Sequence, residues 1–151
     1  MNALRKAGEP MARRRVLIID GDLDNVRSLA LLLGKVGHHI DYVIDATAAV
    51  ERACRFLPDI VFLDLLLADD HGSRVCSELR KCPGLKNTRI IAVTASNRII
   101  DHQLAIDAGC DDAMRKPVST ATYERLVAGG MNRRKLREFL AEQGPCAGGG
   151  Q

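Results

Sequence analysis

The chain has 151 residues, a formal charge of +3 and 46% hydrophobic residues, which suits one globular domain able to bury a core. A charge this small makes no case for a nucleic-acid partner, and no apolar run approaches the roughly 18 residues of a membrane span. Aromatics make up only 3%, so the core has to be built from Leu, Ile, Val and Ala.

Residues 1–13 read as a flexible lead-in without the apolar core of a signal segment. Strands are expected at VLII (16–19), IDYVI (40–44), DIVFL (59–63), RIIAVT (89–94) and a weaker DAM (112–114), each short enough to be buried on both faces. Helical spacing fills the gaps. Residues 24–36 carry Val26, Leu29, Leu32, Leu33 and Val36 on one side, with Asp24 as N-cap and Gly37 as stop. Residues 46–57 end at Pro58. Residues 72–81 turn Val75, Cys76 and Leu79 inward, and residues 98–108 turn Ile99, Leu104 and Ala105 inward before Gly109. A last helix runs from Thr120 to about Ala128. Residues 129–151 then form a short basic helix, with Asn132 as cap, and a disordered tail.

The five cysteines, Cys54, Cys76, Cys82, Cys110 and Cys146, form no CxxC pair, which suggests reduced thiols in a cytoplasmic protein. Cys54 and Cys76 read as small core residues. The basic runs Arg13–Arg15 and Arg133–Arg137 read as solvated faces.

Five alternations of strand and helix call for a parallel sheet covered on both faces. Ligands of such sheets sit outside the carboxyl ends of the strands. There the sequence places Asp20, Asp64, Thr94 and Lys116. Two carboxylates suit a divalent cation, while a hydroxyl and an ammonium suit phosphate oxygens. A calcium loop is excluded, because counting from Asp20 puts Asn25 and Leu31 where glycine and glutamate are needed.

VLIID (16–20), PDIVFLD (58–64), IIAVTA (90–95) and AGCDDAMRKP (108–117) together resemble the receiver domain of two-component response regulators over residues 14–128. The resemblance implies a flavodoxin-like (βα)5 fold with a five-stranded, doubly wound parallel sheet. It implies that Asp64 is the phosphoacceptor and that Asp20, Asp64 and the carbonyl of Leu66 hold Mg2+. Thr94 and Lys116 would bind the phosphoryl group, and Pro117 would follow a cis peptide bond. Gly72 matches the glycine that opens the third helix. Two positions depart from the pattern. Gly21 stands where the family has a second acid, leaving Asp22 as the acid placed to compensate, and Ala113 stands where an aromatic is common.

The function expected is that of a phosphorelay receiver, not an enzyme. It takes a phosphoryl group from a sensor histidine kinase or phosphotransfer protein and signals to a downstream protein as a monomer or weak homodimer, with no nucleic acid or membrane involved. Two alternatives stand beside it. One is a degenerate receiver acting as a phosphorylation-independent interaction module. The other is a magnesium-dependent, haloacid-dehalogenase-like phosphatase, whose first two motifs Asp20, Asp22 and Thr94 fit, although Asp111-Asp112 precede Lys116 where such enzymes place the lysine before a late acidic pair.

Overall fold

The computed structural model describes residues 12–67 and 72–128, together with Glu138 and Ala141. The elements are β1 (Arg15–Ile19), α1 (Leu23–Val36), β2 (His39–Val43), α2 (Ala49–Phe56), β3 (Ile60–Asp64), α3 (Gly72–Lys81), a 3-10 turn (Pro83–Leu85), β4 (Arg89–Thr94), α4 (Ile99–Asp107), β5 (Asp112–Arg115) and α5 (Thr120–Ala128). All strand pairings are parallel, in the order β2-β1-β3-β4-β5. This is the doubly wound, flavodoxin-like order, whose topological switch lies between β1 and β3.

Alternate side chains of the central strands go to opposite faces. Leu17, Ile19, Val61, Leu63, Ile90 and Ala92 pack with Ala53 of α2, Val75, Cys76 and Leu79 of α3 and Ala105 of α4. On the other face Val16, Ile18, Ile60, Phe62, Ile91 and Val93 meet Val26 and Leu33 of α1 and Leu126 and Val127 of α5. The Phe62 ring meets Tyr123 edge-on at 5.0 Å, a favoured aromatic geometry.

Several expectations are corrected. Asp22, not Asp24, caps α1: its Oδ1 accepts from the backbone N–H of Asp24 and Asn25 at 3.0 and 3.3 Å. Val36 lies on the exposed side of that helix, and Gly37 closes it at φ 107°, a conformation that favours glycine. The second helix starts only at Ala49, because Asp45 Oδ1 accepts from Thr47 Oγ1 and the Ala48 N–H and holds residues 45–48 in a turn. Strand β2 is an edge strand with only Val43 buried. Ile99 and Leu104 of α4 are 71% and 44% exposed; Ala105 is buried as expected, and His102 is buried beside it. Cys54 is half-buried and outside the core, whereas Cys76 is buried. The expected helix over 132–142, the tail and loop residues 68–71 lie outside the described residues, save Glu138 and Ala141.

The amino edge of the sheet is tied by buried and partly buried polar groups. Arg80, at the end of α3, donates to the carbonyls of Gly109, Leu85 and Thr88 and pairs with Asp111 at 3.0 Å. Asp111 Oδ2 also accepts the Ile90 N–H at 2.8 Å. Arg89 donates to the Leu126 carbonyl at 2.8 Å, and burial, followed by the charge of Arg14, lowers its guanidinium to about 10. His38 Nδ1 accepts the Arg14 N–H at 3.0 Å. Burial and then the Arg14 charge hold this imidazole below its usual value.

Candidate functional site

Parallel strands deliver their last residues to one edge of the sheet. Strands β1 and β3 pair from Val16 and Ile60 to Ile19 and Leu63, so Asp20 and Asp64 leave the sheet as neighbours. Local hydrogen bonds orient both carboxylates. Asp20 Oδ1 accepts the Asp22 N–H at 2.8 Å, and Asp64 Oδ1 accepts the Leu66 N–H at 3.0 Å. The other oxygen of each turns to the Lys116 ammonium, Asp20 Oδ2 at 3.0 Å and Asp64 Oδ2 at 3.5 Å. Lys116 is positioned from β5: its N–H donates to the Thr94 carbonyl at 2.8 Å, and the Lys116-Pro117 peptide bond is cis.

These three charges are partly withdrawn from water. Burial pushes the Asp64 carboxyl above its usual value; the Leu66 N–H and Lys116 pull the other way, and Asp20 adds to the rise. Burial works against the Lys116 ammonium too, but its hydrogen bond to Asp20 and the charges of Asp20 and Asp64 outweigh that and raise its pKa. Tyr123 was not singled out in the sequence. It lines a cavity of about 500 Å3 with Asp20, Lys116 and Pro117. Burial, then the two carboxylates, raise its phenol to about 12. An aromatic on the last helix was the available signal.

The remaining candidates divide. Thr94 ends β4 and is fully buried, with its Oγ1 accepting the Ser96 N–H at 3.1 Å. Leu66, whose N–H binds Asp64, has an exposed side chain. Asp22 is set apart, since its carboxylate caps α1. A side chain at Gly21 would find room, the nearest atom to its Cβ being the Ile44 carbonyl oxygen at 3.7 Å. Gly72 has no such room: a Cβ there would stand 2.6 Å from the Leu65 Cα and 2.7 Å from the Asp64 carbonyl oxygen. The glycine lets α3 start directly against the end of β3.

Among the described residues no three acids, histidines or cysteines converge as a ready metal cage. Two carboxylates do converge, and they fit a small, strongly hydrated dication, which is commonly held by one or two carboxylates plus water and phosphate oxygens. The later acid pair stands apart from these carboxylates. Asp111 and Asp112 lie at the amino end of β5, opposite Lys116, and Asp111 is bound to Arg80.

The family model for the response regulator receiver domain matches residues 16–128. The chain belongs to that family. Two mycobacterial relatives agree with it. This receiver is 33% identical over 135 residues to the sensory transduction protein RegX3 of Mycobacterium tuberculosis, covering 86% of this chain and 58% of that one. It is 32% identical over 105 residues to the DNA-binding response regulator MtrA of the same species, covering 70% and 45%. The chain thus spans about half the length of these relatives. Among solved structures, the receiver domain of a Pseudomonas aeruginosa sensor histidine kinase, with magnesium in its active-site cleft, superposes with a TM-score of 0.70 at 26% identity, covering 77% of this chain and 95% of that one. No helix among the described residues is long and apolar enough to cross a membrane.

Proposed function

We propose that this receiver accepts a phosphoryl group on Asp64. A carboxylate oxygen of Asp64 attacks the phosphorus of a phosphohistidine on a sensor kinase or phosphotransfer protein; the P–N bond breaks, the histidine leaves, and an aspartyl phosphate remains. The observation that carries the reading is the Lys116 ammonium held between Asp20 and Asp64 at 3.0 and 3.5 Å. It stands where it can ion-pair with an arriving phosphoryl group.

Asp20, Asp64 and the Leu66 carbonyl are the groups to hold magnesium, which when bound offsets the negative charge gathered there. Thr94 supplies a hydroxyl that, on leaving the Ser96 N–H, can hydrogen-bond a phosphoryl oxygen. Pro117 fixes the turn that carries Lys116. The output is a shift in population of the α4–α5 face toward a downstream protein in the cytoplasm, by a module of residues 14–128 acting in signalling and not in turnover.

The test is incorporation from acetyl phosphate with magnesium, in the intact chain and in Asp64→Ala. Incorporation lost in the variant supports the reading. Absence in both supports a second one, a phosphorylation-independent interaction module. What favours that second reading is Gly21 together with the capping of α1 by Asp22, which leaves two acids for the cation.

A further inference from the structure

Four free thiols lie among the described residues, and they stand in two pairs. Cys76 and Cys110 approach to 2.9 Å inside the core, 0% and 1% exposed. Cys54 of α2 and Cys82, just past α3, approach to 2.6 Å, and both are partly open to solvent. A disulfide needs sulfurs about 2.05 Å apart, so closing the second pair takes a movement of roughly half an ångström. The two pairs share chemistry and differ in access.

We propose that Cys54 and Cys82 are a modification site that closes to an intramolecular disulfide on exposure to a peroxide. The hydrogen bond between them divides the labour. Cys54 donates its S–H to Cys82 Sγ. That bond first, then burial and the neighbouring sulfur, hold the Cys54 proton on, with a pKa pushed up to about 11. Cys82, the sulfur that accepts this hydrogen bond, is assigned as the attacking one. Its thiolate breaks the peroxide O–O bond, forming a sulfenic acid and a hydroxide that takes up the proton first lost from Cys82. The Cys54 sulfur then attacks the Cys82 sulfur; the S–S bond forms, the S–O bond breaks, and hydroxide leaves with the Cys54 proton as a second water. Peroxide gains two electrons and the thiol pair loses two.

The bridge joins α2 to the start of the 3-10 turn across 28 positions, a span that contains β3 with Asp64, and all of α3. Oxidation thus fastens together two helices on one face of the sheet without drawing on the core pair. The proposal stands apart from the phosphoacceptor reading, since it uses none of that site's residues.

The experiment treats the intact chain with hydrogen peroxide, blocks remaining thiols with N-ethylmaleimide under denaturing conditions, and maps the peptides by mass. The expected product is one Cys54–Cys82 linked peptide lighter by two hydrogens, with Cys76 and Cys110 alkylated and the link reversed by dithiothreitol. In Cys54→Ser the sulfenic acid stays on Cys82 and is captured by dimedone, and neither Cys54→Ser nor Cys82→Ser gives an intramolecular link. A link through Cys76, Cys110 or Cys146, a link between chains, or alkylation of all five cysteines at a peroxide dose that oxidises free cysteine would each overturn the proposal.

Discussion

Replacing Gly21 by aspartate supplies the carboxylate that this pocket lacks, and the surroundings admit it. The position is exposed, its backbone is outside the left-handed region, and an added Cβ meets only the Ile44 carbonyl oxygen, at 3.7 Å. A carboxylate roughly 5 Å from a dication, acting through water with a dielectric constant of about 80, contributes about 1.7 kcal/mol. That corresponds to a roughly twentyfold tighter dissociation constant for magnesium. Calorimetric titration with magnesium chloride would compare the natural chain, Gly21→Asp and the uncharged control Gly21→Asn. The expected order is a marked gain for aspartate and little change for asparagine. Equal affinity in all three would refute the electrostatic reasoning, and a parallel gain in both variants would trace the effect to loss of glycine instead of gain of charge.

Three further outcomes follow from the packing. Arg80→Met leaves the fully buried Asp111 carboxylate without its ion pair, at a cost of about 3–5 kcal/mol; urea unfolding would register this as a lower midpoint, and an unchanged midpoint would show that the pair is dispensable. Gly72→Ala drives a methyl group against the Leu65 Cα and the Asp64 carbonyl, which costs about 1–3 kcal/mol and displaces the end of β3, so acetyl phosphate labelling should fall together with stability. His38 has a folded pKa below its unfolded one, so its contribution is complete above about pH 6.5 and is lost as pH falls through the lower folded value. His38→Gln should flatten that acid limb in unfolding curves taken between pH 7 and pH 4.5, and an identical limb in both chains would assign it to other groups.

The sheet was legible because strands buried on both faces write themselves as unbroken apolar runs, as at 16–19 and 89–94. The chemistry at its carboxyl edge was legible for a related reason: Asp20, Asp64 and Thr94 each interrupt or end such a run at the same point. What escaped had no local trace. Three aspartates at alternating positions all make good caps, and only the path of the backbone selects Asp22. The α4 segment is apolar on most sides, so periodicity could not reveal that Ile99 and Leu104 face outward. The Arg80–Asp111 pair joins residues 31 positions apart, and nothing near either residue announces it. Cys54 and Cys82 meet in the same hidden way.

The arginine clamp has a consequence for how this molecule tolerates change. Arg80 gathers the end of α3, the 3-10 turn and the approaches to β4 and β5 at the amino edge, so much of the polar anchorage lies at the opposite end of the strands from the acids. The two edges answer to different demands. On the proposed reading, substitutions among the acids would alter metal affinity or phosphoryl chemistry while the clamp keeps the scaffold standing. On that reading the polar anchorage and the phosphoryl chemistry rest on different side chains at opposite ends of the same five strands.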